Sequence, residues 1–265
     1  MGINRSSFLY WQRRGKNALN KKIVFLQKVI EIYFEYNGIY GAPKIHHVLC
    51  EKGLNCSVSK VSRAMDMLGI RSIVAEKFVP RKSSLTEEEK DLIVNLVKDL
   101  SIIRINQVWT TDITYVKTVN EGTYYLITFI DLFSKKVLSW NLVDRQITEY
   151  IIDTLKVAVS NRQPGPGLII HSDKGAQMRS SLYRNFLSKN NFVPSYTSLN
   201  HSCDENAAQE SFHASLKKEC LYLCKPKNFN EAFYLIHKYI DDFYNPVRLH
   251  SSLNYLSPIS FEASL

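Results

Sequence analysis

The sequence lacks long apolar runs and is poor in cysteine. None of its 265 residues belongs to a run of 18 consecutive apolar residues, so we predict no transmembrane helix. The opening residues, MGINRSSFLYWQRRGK, contain no apolar segment of the length that a secretory signal needs. The cysteines number five, and an odd count in a long chain favours the reduced thiols of a cytosol. We therefore expect a cytoplasmic protein.

A complete set of metal-binding cysteines and histidines is also missing. The stretch HHVLC places His46, His47 and Cys50 close together, and Cys56 follows. No second CxxC or HxxxH pair completes a usual zinc site. From the sequence we expect these four residues to be ordinary helix and loop residues.

Acidic residues are scarce only in the N-terminal third. Residues 1–82 contain 15 Lys and Arg against 5 Asp and Glu, whereas residues 83–265 contain 19 against 20. The formal net charge of +9 therefore lies entirely in the first segment. Such asymmetry suggests a module that faces nucleic acid, joined to a nearly neutral one. A solvated basic surface is the alternative that charge alone leaves open.

Three helices are predicted in the basic segment. The first covers 20–36, with Ile23, Leu26 and Ile30 on one apolar face, and ends at Asn37-Gly38. The second begins at Pro43 and stops at Gly53. The third runs from a Ser57 N-cap to Gly69 and carries Lys60 and Arg63. Two short helices with a brief turn between them are typical of a helix-turn-helix, although other small helical bundles share this outline.

The rest of the chain has the sequence pattern of a mixed β-sheet with helices. A capping box, Thr86 with Glu89, predicts a short helix to about residue 99. Three β-type runs at 107–117, 123–131 and 135–143 predict an antiparallel meander. Further helices are predicted at 147–160, 179–190, 205–222 and 229–244, with short strands in GPGLIIHSD and at 192–196. This order indicates an α/β layer.

Three carboxylates occupy positions where ordinary packing explains them poorly. Asp112 lies in the middle of the strand QVWTTDITYV, Asp173 follows the strand LIIH, and Glu210 lies in the helix ENAAQESFHASLKKE, among small residues. Carboxylates turned toward one point need a cation, and Mg²⁺ accepts one or two of them together with waters and phosphates. Taken singly, each has a plainer explanation: a salt-bridged strand Asp, an Asp turn or a solvated helical Glu.

Five motifs in order identify a family. VWTTDITYV, IDLFSKKVLSW, HSDKGAQ, ENAAQESFHASLKKE and YNPVRLHSSLNYLSP together resemble the catalytic half of DDE transposases, most closely the bacterial insertion sequence family three in its OrfB-type protein. The resemblance covers about residues 40–262. It implies an RNase H-like, retroviral integrase-type core with a mixed sheet, preceded by a small all-α helix-turn-helix domain.

The resemblance also implies roles for individual residues. Asp112, Asp173 and Glu210 correspond to the DDE triad, which would hold Mg²⁺ or Mn²⁺, as two ions. Between Asp173 and Glu210 lie 36 residues where the family usually has 35, which indicates one extra loop residue near SLNHSCDEN. The implied DNA contacts are Lys217 on the catalytic helix, Lys44, Lys60 and Arg63 in the helix-turn-helix, and Arg248 in the tail. Ser172 and Gln177 are expected to orient the Asp173 loop.

Other positions are expected to be structural. Asp131 matches a recurrent acidic position, for which we expect a hydrogen bond to the neighbouring turn; His171, Trp109 and Trp140 should pack. For the tail, packing on the core and contact with DNA are equally open. The expected segments are a basic helix-turn-helix region at 1–70, a linker with a short helix at 71–104, an RNase H-like DDE core at 105–222, and a C-terminal helix and tail at 223–265.

The expected function is metal-dependent DNA cleavage and strand transfer at the ends of an insertion sequence. The expected partners are double-stranded DNA with terminal inverted repeats, target DNA, further copies of the chain, and the product of an upstream reading frame, supplied as a fusion or separately. Such a protein would associate with the bacterial nucleoid. One alternative is a helix-turn-helix regulator with a silent core; another is an RNase H-like nuclease that only hydrolyses.

Overall fold

The computed structural model describes residues 5–73, 94–197 and 206–265. The chain divides into two compact units, Met1–Val79 and Pro80–Leu265, and this division falls inside the segment predicted as a linker. Across the described residues, no helix is both long enough and apolar enough to span a membrane.

The first unit contains three helices. They are α1 (Arg5–Glu35), α2 (Ala42–Glu51) and α3 (Val58–Met67). Pro43 lies in the first turn of α2, and the Ser57 side chain accepts a hydrogen bond from the backbone N–H of Lys60 at the start of α3. Both helix starts agree with the prediction: Pro43 lacks the N–H that would be unpaired in the first turn of α2, and Ser57 accepts one of the free N–H groups of α3.

The apolar face predicted for α1 is only partly buried, since Leu26 and Ile30 are half-buried. The side chains that α1 buries are Phe25, Val29 and Ile32, whereas Ile23 remains 44% exposed. The helix carries two apolar stripes with nearly the same spacing, and hydrophobic periodicity cannot tell which of them meets α2 and α3.

The second unit is built on a five-stranded sheet in the order β3-β2-β1-β4-β5. The strands are β1 (Val108–Thr118), β2 (Gly122–Asp131), β3 (Val137–Val143), β4 (Ile169–Ser172) and β5 (Val193–Tyr196). β1, β2 and β3 pair antiparallel, as predicted, and β4 pairs parallel with both β1 and β5.

Helices cover both faces of this sheet. They are α4 (Thr148–Arg162), α5 (Ala176–Arg179), α6 (Ser181–Lys189), α7 (Ala207–Leu216), α8 (Tyr222–Cys224), α9 (Phe229–His237) and α10 (Pro258–Ala263). Trp109 faces a core with α4 and α6, and Val116 faces a second core with α7 and α9. Because side chains alternate along a strand, Asp112 lies on the Val116 face.

The predicted helix that ends near residue 99 is not found where the structure describes it. Residues 86–93 lie outside the described part of the chain, and 94–99 form bends and a turn. Asn95 Oδ1 accepts from the backbone N–H groups of Val97 and Lys98, and Leu96 N–H donates to Ser195 Oγ. The asparagine side chain thus closes a turn in competition with the helical hydrogen bonds.

Two helices continue into π-helical segments that the sequence did not predict. α7 leads into Lys217–Leu221, and α9 leads into Lys238–Tyr244. Trp140, expected in the core, is half-buried and donates from its indole N–H to Asp241. Short π-helical stretches are often found at functional sites, and the first of these begins at the predicted DNA contact Lys217.

Candidate active site

The sheet register brings Asp112 and Asp173 next to each other. Thr111 of β1 and Ser172 of β4 are the last parallel partners, and each aspartate is the next residue along its strand. Parallel neighbours lie about 4.8 Å apart in the hydrogen-bonding direction. Two carboxylates therefore lie at the point where β4 ends and β1 continues, which is the end of a parallel pair where α/β sheets place their sites.

Gln209 fixes α7 over this point. Its side-chain amide donates to the backbone oxygens of Thr110 at 2.7 Å and Thr128 at 3.3 Å, and it accepts from Thr128 Oγ1 at 2.8 Å. Thr110 lies two residues before Asp112, and Thr128 is the cross-strand partner of Asp112. Glu210 follows Gln209 directly, so this fully buried amide fixes the part of α7 that carries the third carboxylate of the predicted triad.

His213, one turn along α7, is the side chain beside Asp112. Its Nδ1 lies 3.4 Å from Asp112 Oδ2, and its Nε2 lies 3.2 Å from Thr128 Oγ1. Thr128 has one hydroxyl hydrogen, which it donates to Gln209, so Nε2 must be the donor to Thr128. The other Asp112 oxygen, Oδ1, accepts the backbone N–H of Ile113 at 2.8 Å.

Glu210 lies on α7 before His213, and Lys217 directly follows the end of α7. Glu210 is exposed, and Lys217 is half-buried at the start of the π-helical segment. Burial lowers the pKa of Lys217, and the Asp112 carboxylate partly opposes this. Asp112, Asp173 and Glu210 are all described, but their carboxylate oxygens do not all lie within 4.8 Å of one another. The convergence of the three carboxylates on one point therefore stays a prediction.

The Asp173 loop is tightly fitted around Gly175. Asp173 Oδ1 accepts the backbone N–H of Gly175 at 3.0 Å. A Cβ atom on Gly175 would lie 3.1 Å from Asp173 Oδ1 and 3.3 Å from Gln177 Oε1. Ser172 Oγ donates to the backbone oxygen of Asp173, and Gln177 Nε2 donates to that of Gln146. These bonds are compatible with the orienting roles expected for Ser172 and Gln177.

A groove of about 650 Å³ runs beside Lys217. Its lining includes three lysines and two tyrosines: Lys117, Lys217, Lys225, Tyr115 and Tyr222. Both tyrosines are 57% exposed. Lysines beside exposed aromatic rings form the surface that single-stranded nucleic acid prefers, because cations attract phosphates and rings stack on bases.

In the first unit, α3 presents its basic residues to solvent. Lys60 and Arg63 are exposed, and both line a groove with Lys22. The Lys60 ammonium lies 4.3 Å from the ring centre of Phe25, and the Lys44 ammonium lies 4.9 Å from that of Tyr40. The predicted contacts Lys60 and Arg63 therefore share one helix face, as a recognition helix requires.

Arg248, which was expected to contact DNA, is instead buried in an ion pair with Glu219. Its guanidinium donates through Nε and Nη2 to the two carboxylate oxygens of Glu219, at 2.8 and 2.6 Å, and its side chain is 11% exposed. Tyr239 donates to the same carboxylate at 2.6 Å. A buried, bidentate pair uses the donors that a phosphate contact would need, so the structure favours the packing alternative for Arg248.

Asp131 and His171 have the structural roles expected of them. Asp131 is fully buried and accepts backbone N–H groups from Asn106, Phe133 and Ser134. His171 is buried and its Nδ1 lies 2.9 Å from Ser195 Oγ on β5. Burial raises the pKa of Asp131, and the three backbone donors oppose that rise.

Gln209 and Thr128 were not predicted to be site residues from the sequence. A signal for Gln209 was available, since Gln209, Phe212 and Leu216 fall on one face of α7 and all are buried. A glutamine at the head of an apolar stripe needs hydrogen-bond partners when it is buried. Nothing local to Thr128 marks it as the partner, because the pairing depends on the fold.

Comparisons with known proteins identify the family of the chain. A family profile described as Integrase core domain matches residues 104–202, a second of the same description matches 195–258, and an HTH-like domain matches 20–78. The transposase for insertion sequence element IS904 of Lactococcus lactis is 33% identical, over 95% of this chain and 98% of that protein. The transposase InsF for insertion sequence IS3A of Escherichia coli is 31% identical, over 98% of this chain and 90% of that protein.

The catalytic core domain of HTLV-2 integrase, whose structure was solved in complex with magnesium, is 19% identical to this chain, with a TM-score of 0.46. The alignment covers 59% of this chain and 95% of the integrase core domain. The two bacterial relatives align over nearly their whole lengths, across both the helical unit and the mixed sheet. The chain belongs to the IS3-type family of insertion-sequence transposases.

Proposed function

We propose that this transposase cleaves a phosphodiester at each end of its insertion sequence and then joins the freed 3′-hydroxyl to target DNA. Water is the nucleophile of the first step and the 3′-hydroxyl that of the second, and no covalent protein intermediate forms. The observation that carries the proposal is the adjacency of Asp112 and Asp173 beyond the last β1–β4 pair, with α7 pinned above them by Gln209.

The carboxylates fit hard divalent cations. Asp112 is half-buried, Asp173 and Glu210 are exposed, and all three offer oxygen ligands of the kind that Mg²⁺ and Mn²⁺ take. An open carboxylate set suits ions that keep waters and bind substrate phosphates. When bound, two such ions would supply an activated attacking oxygen and a stabilised leaving oxygen. Asp112, Asp173 and Glu210 would hold these ions.

The remaining residues of the site position the carboxylates and the DNA. Gln209 and His213 attach α7 to β2, because both bind Thr128, and Gln209 also donates to the backbone oxygen of Thr110 on β1. Lys217 would contact a DNA phosphate next to Asp112. From there the groove of Lys117, Lys225, Tyr115 and Tyr222 offers a path for a strand with unpaired bases.

The helix-turn-helix would bind the terminal inverted repeats. Lys44, Lys60 and Arg63 would contact phosphates and α3 would meet bases in the major groove. Cleaving and joining two ends requires two active sites, so we propose a homo-oligomer on nucleoid DNA. The product of an upstream reading frame, fused or in trans, would complete the assembly.

The test is a cleavage and strand-transfer assay with purified protein and DNA that ends in the element's own repeats. We expect joined products with Mg²⁺ or Mn²⁺, and their loss in Asp112→Asn, Asp173→Asn and Glu210→Gln with DNA binding retained. Asp153→Asn is the matched control, because Asp153 is an exposed aspartate of α4 that pairs only with neighbouring Lys156 in the hydrogen bonds described.

Two results would contradict the proposal. Nicked but never joined products would indicate a nuclease that only hydrolyses. Tight DNA binding with no product, even with the upstream frame supplied, would indicate a regulator with a silent core.

A further inference from the structure

Three soft metal ligands converge at the turn of the helix-turn-helix. His46 and Cys50 lie four residues apart on one face of α2, and Cys56 directly precedes Ser57, the N-cap of α3. By sequence the ligand set looked incomplete. The fold changes this, because the turn after Gly53, whose φ is +80°, brings Cys56 back onto the His46 and Cys50 face.

The ligand atoms are already close together. His46 Nε2 lies 3.5 Å from Cys50 Sγ, and the ligand atoms of His46, Cys50 and Cys56 all lie within 4.8 Å of one another. No other group of three such side chains in the described parts of the chain meets this criterion. All three residues are half-buried, so one side of the cluster is within reach of solvent.

The hydrogen bond of His46 is the contact that a bound ion would replace. Its Nε2 lies 2.9 Å from the backbone oxygen of Cys56. A carbonyl oxygen only accepts, so Nε2 carries the hydrogen and points it toward Cys56. An ion about 2.0 Å from Nε2 would lie too close to that oxygen, so the Cys56 carbonyl must turn away as the ion binds. A disulfide between Cys50 and Cys56 would use only the two sulfurs, whereas a metal would use all three groups.

We propose that His46, Cys50 and Cys56 bind one zinc-class divalent ion. The ligand set would be two thiolates and one imidazole, with water or an outside ligand in the fourth tetrahedral position. On binding, each thiol releases one proton and the His46 hydrogen moves from Nε2 to Nδ1, so two protons leave for each M²⁺ bound. No oxidant or reductant is needed.

Such an ion would stabilise the DNA-binding unit at its turn. It would tie α2 to the residue before the N-cap of α3, the helix that carries Lys60 and Arg63. The site lies in the first unit and is chemically distinct from the carboxylates, since thiolates and imidazole select zinc-class ions and carboxylates select Mg²⁺ and Mn²⁺. Its occupancy should therefore not depend on the proposed cleavage chemistry.

The experiment uses the full chain, reduced with a phosphine and titrated with Co²⁺. We expect one equivalent to bind, with the visible bands of tetrahedral Co²⁺ and a thiolate charge-transfer band, and Zn²⁺ to remove both. Cys50→Ser and Cys56→Ser should lose the charge-transfer intensity in part and weaken binding by more than the ~10–100-fold that outer hydrogen-bond partners contribute. His46→Asn should weaken binding while both thiolates still contribute to that band.

Cys224→Ser is the control. Cys224 is exposed, and with Cys220 it forms the other close cysteine pair among the residues described, in the second unit. Its substitution should leave the spectrum unchanged. The proposal is overturned if the reduced wild-type protein takes up no Co²⁺, or if the bands survive Cys50→Ser and Cys56→Ser unchanged, or if they disappear in Cys224→Ser. Native mass spectrometry of the zinc-loaded wild type counts the ion independently of variant folding.

Discussion

At the scale of single residues, Gly175 is the position where one methyl group should disturb the site most. Gly175→Ala would place a Cβ 3.1 Å from Asp173 Oδ1 and 3.3 Å from Gln177 Oε1. Both contacts are tighter than ordinary van der Waals contacts, so the Asp173 carboxylate and the Gln177 amide must each shift by a few tenths of an ångström. We expect the metal-dependent cleavage rate to fall by about tenfold or more, because misplacement of about 1 Å at an active site can cost about 100-fold, with little change in the denaturation midpoint.

The matched control is Gly165→Ala. Gly165 lies in the loop before β4, its φ is not positive, and an added Cβ would meet no atom within 4 Å. Equal cleavage rates for the two variants would show that the close fit around Asp173 does not matter for the reaction.

Arg248 provides a test between packing and DNA contact. Arg248→Ala would leave the Glu219 carboxylate, whose side chain is 1% exposed, without its cation. Breaking a buried ion pair from one side typically costs about 3–5 kcal/mol. We expect that loss in the free energy of unfolding from denaturant titration, while the salt dependence of DNA binding stays as in the wild type. A stable Arg248→Ala protein with weakened DNA binding would restore the DNA-contact interpretation.

At the scale of elements, the attachment of α7 to the sheet depends on one buried amide. Gln209→Ala removes the partner of Thr110 and Thr128. Unsatisfied buried groups cost about 1–3 kcal/mol, so the free energy of unfolding should fall by that amount. The cleavage rate should fall as well, because Glu210 loses its anchor. Ser211→Ala, on the exposed side of the same helix, should change neither quantity. A Gln209→Ala protein with wild-type activity would remove Gln209 from the positioning of Glu210.

The C-terminal element α10 is attached through Glu262, which gives a pH-dependent prediction. Burial raises the pKa of Glu262, but hydrogen bonds from Arg162, Ser134 and Lys136 outweigh it and hold the pKa below its usual value. A carboxylate with a lowered folded-state pKa stabilises the fold above its unfolded pKa, and this contribution disappears as the pH falls through the folded pKa.

We therefore expect Glu262→Gln to reduce the free energy of unfolding by about 3 kcal/mol near neutral pH. The difference from wild type should shrink as the pH falls below 4.5, the ordinary value for this group. Denaturant titrations of both proteins between pH 7 and pH 3 measure it. A difference that stays constant across this range would mean that the charge of Glu262 contributes nothing.

Some helices and strands could be predicted from the sequence alone, and others could not. The strands β1 to β3 and the caps of α2 and α3 were predictable because alternation, Pro43 and Ser57 are local signals. The buried face of α1 was not, since two apolar stripes compete and tertiary packing decides between them. The π-helical segments and the turn at Asn95 also depend on contacts across the fold. For the site, the positions of Asp112, Asp173 and Glu210 followed from family resemblance, whereas Gln209, Thr128 and the approach of Cys56 to His46 required coordinates.

At the scale of the whole molecule, most of the net positive charge and the proposed catalytic carboxylates lie in different units. The basic excess lies in residues 1–82, and the proposed carboxylate site lies in a segment of nearly balanced charge. Affinity for DNA should therefore come mainly from the first unit, and the second should add local contacts near Lys217. This separation predicts that binding and cleavage can be altered independently.

The salt dependence of binding tests this division directly. Lys60→Ala/Arg63→Ala removes two exposed cations of α3, and each lost phosphate contact reduces the slope of log K against log salt by about 0.9. We expect the slope of the full-length protein to decrease by about 2 in magnitude between 50 and 200 mM salt, a range over which phosphate-dominated binding changes steeply. Lys189→Ala, which removes an exposed cation from α6 in the second unit, should leave the slope unchanged. If Lys189→Ala lowered the slope as much as the α3 variant, DNA would be held by the surface of both units, and the charge asymmetry of the sequence would not indicate where DNA binds.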